Sequence, residues 1–425
     1  MKVAILGYGI EGKVAYDYWQ ALGNDVTIFD DNAIKVPAGA KLQVGLDWQL
    51  GDFDLIVRSP GVRPDRIPQG IKVTSVVREF IAKCPAPIIG VTGTKGKGTT
   101  TTLITKMLEA AGKTAHLGGN IGRPALEFLD QVKTGDWVVL ELSSFQLLDA
   151  TQSPQIAVCL MIVPEHLNWH PDMTEYVEAK GNIFRFQKPQ DTAIYNARNK
   201  YSSQIAQLSE GTKLPYLDEA GAYVKDDQIF FQDTSICKTG EVDLLGAHNL
   251  ENVCAAVAAV YPLIKDAASL AKAIREFKGL EHRLEVAGLV DGITYVDDSF
   301  STTPETTIAA INSFDQPKVL ILGGSDKGSD YTEMARFITD ANVRHVIAIG
   351  DMATKISRAL QAADYDAITT GPTDMTQIMK AAGEVAKSGD VVLLSPACAS
   401  FGLFKDYKER GNQFKQAVQA LGGVA

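Results

Sequence analysis

Residues 93–100 read Gly-Thr-Lys-Gly-Lys-Gly-Thr-Thr and follow the short apolar run Ile88–Val91. A glycine-rich turn between a strand and a helix points backbone N–H groups at phosphate oxygens, and a lysine within it supplies charge for the β and γ phosphates. The spacing predicts a nucleotide-binding loop made of Gly93, Thr94, Lys95, Gly96, Lys97, Gly98 and Thr99, with Lys97 as the phosphate cation. Gly98 departs from the usual pattern. Such a loop normally carries a magnesium-binding hydroxyl directly after its lysine, so here Thr99, Thr94 or water has to take that place.

A second glycine turn, Gly7-Tyr8-Gly9-Ile10-Glu11-Gly12, follows the strand Val3–Leu6, and Asp30 closes the next strand, Val26–Phe29. Glycines there let a backbone approach a diphosphate, the following helix N-terminus favours its charge, and the acid takes a hydroxyl or ring N–H. The loop specifies a diphosphate and nothing more. A nicotinamide dinucleotide and a UDP sugar satisfy it equally, and a tight turn without a ligand is also compatible with it.

These loops need rigid elements behind them. Short β-branched runs alternate with segments of helical period along the chain, which predicts an α/β fold with mostly parallel sheets and crossover helices. Cys84-Pro85-Ala86-Pro87 reads as a linker, since proline disfavours helix at the residue before it. A third series of strands begins near Glu281, with Thr294–Val296, Val319–Leu322, Val346–Ile349 and Val391–Leu394. Three domains are therefore expected: a Rossmann-like one over 1–84, a central phosphate-loop domain over 85–280, and a Rossmann-like α/β domain over 281–425. The segment Lys200–Thr239 reads as a meander of short strands without a functional assignment.

Composition narrows the class. The 425 residues are 45% hydrophobic and 22% charged, as in globular proteins. A formal net charge of −10 argues against sequence-independent nucleic-acid binding, which needs a basic face. Five scattered cysteines without metal-ligand spacing read as buried thiols in a reducing, cytoplasmic setting. No stretch approaches the roughly 20 apolar residues of a membrane span, and the N-terminus lacks a signal-peptide pattern.

Beyond the phosphate loop come Gly118-Gly119-Asn120-Ile121-Gly122, Glu141-Leu142-Ser143-Ser144-Phe145-Gln146, Glu165-His166-Leu167-Asn168-Trp169-His170 and Lys180. Farther on stand Gly246-Ala247-His248-Asn249-Leu250-Glu251-Asn252, His282-Arg283, Asp297-Asp298-Ser299, Gly323-Gly324-Ser325-Asp326-Lys327 and Ser395-Pro396-Ala397-Cys398-Ala399-Ser400. Together, and in this order, they resemble the Mur ligase superfamily over essentially the whole chain. The Ser-Pro-Ala-Cys-Ala-Ser run, with Tyr407 and Glu409-Arg410-Gly411-Asn412 after it, is similar to that of the D-glutamate-adding branch.

The resemblance implies an ATP-dependent ligase that activates a carboxylate as an acyl phosphate and lets an amine displace phosphate. It implies UDP-N-acetylmuramoyl-L-alanine and D-glutamate as partners of ATP, and a monomeric enzyme. Glu141, at the end of the strand Trp137–Leu140, would hold magnesium together with His166, Lys180 and Thr99, with two ions bound and Lys180 carbamylated. Lys97, His166 and Lys180 would be the catalytic groups. Asn249 and Asn252 would lie on the adenine side, and Arg283 and Asp298 would contact ATP phosphate and ribose. Gly9, Ile10, Glu11, Asp30, Asp31, Ser59, Gly61, Asn120 and Ser143 would bind the UDP precursor. Lys327, Ser400 and Tyr407 would receive D-glutamate. Phe300 stands where many relatives carry lysine. Another amino acid ligase of the superfamily, including the folylpolyglutamate type, an NAD-binding dehydrogenase or sensor built on the first loop, and a catalytically dead nucleotide-binding scaffold, to which Gly98 points, are the competing readings.

Overall fold

The computed structural model describes residues 1–244, 246, 248–326 and 329–423. Among them lie three sheets. In the first, five parallel strands run in the order Lys41–Val44, Asp25–Asp30, Lys2–Leu6, Leu55–Arg58, Val73–Thr74. Val3–Leu6 is fully buried, as a parallel strand covered on both faces must be. Val3, Ile5 and Val57 face Ala15, Tyr16 and Trp19 of the helix Ile10–Ala21, whereas Ala4, Leu6 and Ile56 face Leu50 and Val62.

The second sheet has nine strands. Ile88–Thr92 lies between Ile156–Cys159 and Trp137–Glu141, with parallel pairing on both sides. The far end is antiparallel, formed by Ala222–Lys225, Gln228–Phe231 and Thr234–Lys238. The expected meander thus exists over these strands, but it does not begin at Lys200. Lys200–Ala206 is a helix, capped by the Asn199 side chain accepting from Ser202 N. Asparagine is a favoured helix-capping residue, a signal the meander reading left unused.

The first two sheets share one hydrophobic core. It runs from Val3 and Ile5 through Phe80 of the helix Val76–Lys83 and Phe128 to Ile88, Val138 and Leu140. The Phe80 and Phe128 rings lie 5.2 Å apart. Residues 84–87 do end that helix, yet Ala86 is buried in this shared core. The chain accordingly divides into two compact units, one of Met1–Asp243 with Ala247–Phe277 and one of Lys278–Ala425 with residues 244–246.

The second unit is doubly wound. Its sheet runs Glu285–Val290, Ile293–Asp297, Val391–Leu394, Lys318–Gly323, Val343–Ile349, Ile368–Thr370, parallel except for the first pair. Alternation along the strands sends Leu320, Leu322 and Val346 toward Ile311, Met334 and Ile356. It sends Val319, Ile321 and Ile347 toward Ile378, Phe414 and Val418. Among the described residues no helix is long and apolar enough to cross a membrane, and all five cysteines are unpaired thiols, four of them buried.

Candidate active site

The phosphate loop is held as its sequence requires. Gly96 has φ +84° and precedes the helix Lys97–Ala110; a Cβ there would also lie 2.2 Å from Asn252 Oδ1. Only glycine meets both demands. Lys97 Nζ donates to the carbonyls of Gly93 (3.1 Å) and Thr94 (2.9 Å). The Thr94 hydroxyl bridges the Val163 carbonyl and the Tyr176 hydroxyl and accepts from Val163 N. That leaves Thr99, half-buried in the first turn of the helix, or water as the oxygen donor that Gly98 lacks. Lys95 pairs with Glu165. Asn252 of the helix His248–Ile264 accepts from Thr100 Oγ1 and donates to Asn249 Oδ1 at 2.9 Å.

Lys180 comes up beneath this loop from the helix Met173–Arg185, which starts at Asp172, whose side chain accepts from Glu175 N. Its ammonium position is buried, donates to Gly93 O at 2.8 Å and lies over the Tyr176 ring at 4.6 Å. Burial, and then the charge of Lys97, push its pKa down to about 7. Glu141, buried at the end of its strand, accepts from Asn120 Nδ2 at 2.7 Å. His166 stands at φ +58°, a costly conformation for a residue with a Cβ, and its carbonyl accepts from both Trp169 N and His170 N. Its ring packs on Phe145, 5.0 Å between centroids. Burial lowers its pKa against the pull of Glu165, and the cations Lys180, Lys97 and Lys95 lower it further. A neutral imidazole and an oxygen-donating carboxylate fit a divalent cation. An ammonium at Lys180 does not.

A cleft of about 440 Å³ opens at the other glycine turn, lined by Gly9, Ile10, Glu11, Asp30, Asp31, Ser59, Gly61 and Asn120. Gly12 faces the Gly7 carbonyl so closely that a Cβ would lie 2.0 Å from its oxygen. Ser59 Oγ donates to that same carbonyl at 2.7 Å. Asp30 accepts from Tyr8 N and Asn32 N. Asp31 is held bidentately by Arg66, whose guanidinium lies 3.9 Å over the Trp48 ring. Sequence reading missed Trp48 and Arg66, which no motif marks. Ser143 is buried and caps the helix Ser144–Leu147 in a capping box with Gln146, so its hydroxyl is used locally.

In the second unit Asp298 is buried, accepting from Ser395 Oγ at 2.7 Å and from Leu284 N. Burial raises its pKa to about 7 against the hydrogen bonds from Ser301 and Ser395. Arg283 lies over the Phe300 ring at 3.8 Å, and Phe300 meets Tyr407 edge-on at 5.1 Å. Ser400 is buried. Lys327 lies outside the described residues. Arg410 is fully buried, donating to Ser299 Oγ (2.9 Å), Ser299 O and Cys398 O, which explains the Glu-Arg-Gly-Asn run as a brace under the Ser-Pro-Ala-Cys-Ala-Ser turn.

A phosphate loop with a buried lysine beneath it, on a chain of this architecture, is matched by the Mur ligase middle domain over residues 91–260, and the Mur ligase glutamate ligase domain matches residues 282–398. The chain is thus a Mur ligase. A protein of Acetivibrio thermocellus named UDP-N-acetylmuramoylalanine--D-glutamate ligase is 39% identical over 99% of this chain and 96% of its own. One of the same name from Clostridium tetani is 36% identical over 99% and 97%. Among solved structures, UDP-N-acetylmuramate-alanine ligase from Thermotoga maritima superposes with a TM-score of 0.61 at 18% identity, over 99% of both chains. At that identity the likeness speaks for the fold alone. Within the Mur ligases, this chain belongs to the UDP-N-acetylmuramoylalanine--D-glutamate ligase family.

Proposed function

We propose that the enzyme joins D-glutamate to the L-alanine carboxylate of UDP-N-acetylmuramoyl-L-alanine, in peptidoglycan precursor synthesis. ATP gives its γ-phosphoryl group to that carboxylate, forming an acyl phosphate and ADP; the amine of D-glutamate then attacks the acyl carbon and expels phosphate. Such chemistry asks for positioning and charge neutralisation more than for covalent catalysis. The whole-length identity to ligases of that name carries the reading.

Residues 1–84, 85–280 and 281–425 are assigned to the precursor, to ATP and to the amino acid respectively. The loop Gly93–Thr99 and Lys97 would hold the β and γ phosphates, with Asn249 and Asn252 toward the adenine. The cleft of Asp30, Asp31, Ser59 and Gly61 would take the nucleotide end of the precursor, and Asn120 the muramoyl end. By the family resemblance Arg283 and Asp298 would contact ATP phosphate and ribose, while Ser400, Tyr407 and Lys327 would hold the glutamate carboxylates. Magnesium, bound by Glu141, His166, Thr99 and a carbamylated Lys180, would neutralise the phosphate charge. The neutral amine favoured by burial of Lys180 is the form that adds carbon dioxide, releasing a proton and leaving a carbamate with two oxygen donors. The same reading has the enzyme act as a monomer in the cytoplasm. Phosphate release from ATP with the precursor and a panel of D- and L-amino acids tests it: D-glutamate alone should stimulate. Stimulation by L-alanine, a diamino acid or a dipeptide instead would move the chain to another branch.

Phe300 offers a prediction under this reading. Phe300→Lys restores the residue many relatives carry, but removes a cation–π contact worth about 0.5–2 kcal/mol and sets an ammonium beside Arg283. The KM for ATP should therefore rise, by roughly 3–30-fold, with a smaller change for the precursor. A gain in kcat/KM for ATP would show that Phe300 is merely a lost lysine.

A further inference from the structure

Glu11 sits in the first turn of the helix Ile10–Ala21 and lines the 440 Å³ cleft. Its Oε1 accepts from the Gln146 amide. Its Oε2 is buried and has no hydrogen-bond partner. A helix N-terminus stabilises an anion, so a carboxylate is electrostatically reasonable there while the cleft holds no anion. It becomes a poor neighbour once a diphosphate enters the same turn, because two like charges then lie side by side with no cation between them. Resting on the ligase reading, we propose that Glu11 binds the diphosphate of the sugar nucleotide as the neutral acid, its carboxyl turning from the buried position toward the cleft so that the proton on Oε2 is donated to a phosphate oxygen. Precursor binding then takes up one proton from solvent.

The surroundings agree. A protonated carboxyl is a donor, whereas its ionised form only accepts, and a hydrogen bond to an anionic oxygen is among the stronger ones. Arg58, whose charge acts on Glu11, is occupied by Asp149 through Nε (2.9 Å) and Nη2 (2.7 Å). From the neighbouring elements the charged groups of the cleft are Asp30 and Asp31, the latter neutralised by Arg66, and Glu141 behind Asn120. None offers Glu11 a cation of its own. Burial already raises the Glu11 pKa to about 7 in the free protein, against Gln146 and Arg58, which lower it, so the proton is available near neutrality.

Isothermal calorimetry of UDP-N-acetylmuramoyl-L-alanine binding at pH 8, in two buffers of different ionisation enthalpy, reads the proton directly. Uptake approaching one proton per site is expected. Affinity should weaken about fivefold from pH 7 to 8 and approach tenfold from 8 to 9, because only the protonated fraction is competent. Glu11→Gln keeps the shape and a donor but cannot titrate; its affinity should be flat from pH 7 to 9 and exceed that of the parent at pH 9. Parent binding that is pH-independent and takes up no proton would overturn the inference while leaving the ligase reading intact, and so would a Glu11→Gln protein that keeps the parent's pH dependence. Failure of the parent to bind the precursor at any pH would remove the ligase reading and this inference with it.

Discussion

Lys180→Ala is expected to lose activity by roughly 10²–10³-fold, the scale of removing one electrostatic contact at a reacting centre, and to recover part of it when formate or acetate is added. The argument starts from burial. Lys180 is nearly inaccessible, and burial with Lys97 nearby pushes its pKa down to about 7. Below pH 7 the ammonium dominates and cannot add carbon dioxide; above it the neutral amine does. Under the proposal that Lys180 is carbamylated, bicarbonate reactivation of enzyme freed of carbon dioxide should therefore climb through pH 7 and level off above about pH 8. Under the carbamate proposal, the alanine side chain would leave an anionic position vacant beneath the phosphate loop, which a small carboxylate could enter. A second role of Lys180 is purely structural, since Nζ ties the helix Met173–Arg185 to Gly93 O. Were that its whole purpose, added acid would restore nothing, and full activity of Lys180→Ala without acid would dispose of the carbamate altogether.

What could be read from sequence divides by the distance over which the information acts. The phosphate loop was legible because eight contiguous residues carry it, and Gly96 owes its identity to its own φ as much as to Asn252. The doubly wound third sheet was legible because parallel strands announce themselves as continuous apolar runs. Partnerships were not. The Thr94 hydroxyl is taken up by Tyr176, 82 residues away, and Asp31 by Arg66, 35 residues away. Nor does a sequence state depth: Asp298 and Glu11 look like ordinary surface acids, and burial gives both a pKa of about 7. The Ser143 hydroxyl, assigned to the precursor by resemblance, also caps a helix, and capping-box spacing, with Gln146 three residues on, marks that role in the sequence.

The same limit hid how the first two sheets are joined, and this sets the largest stability effect expected. Arg58, at the end of a strand in the first sheet, has a fully buried side chain that grips Asp149 bidentately, 91 residues away and beside the second sheet. It also donates to Phe145 O (2.9 Å) and Val62 O (2.8 Å). Asp149→Ala leaves the guanidinium buried with carbonyl partners and no counter-charge, which costs about 3–5 kcal/mol. For a cooperative unit of this size, the melting temperature should fall by roughly 6–15 °C. Arg58→Met combined with Asp149→Leu removes both charges and should recover most of the loss, since apolar side chains often replace a buried pair without penalty. Because Val3, Phe80, Phe128 and Val138 belong to one core, both sheets should unfold in a single transition. Protein retaining only Trp19, in the first sheet's helix, and protein retaining only Trp137, in the second sheet, should then report the same fluorescence midpoint, and Asp149→Ala should move the two together. Separate midpoints, with only one displaced by the substitution, would mean that the shared core and the ion pair do not weld the sheets into one folding unit.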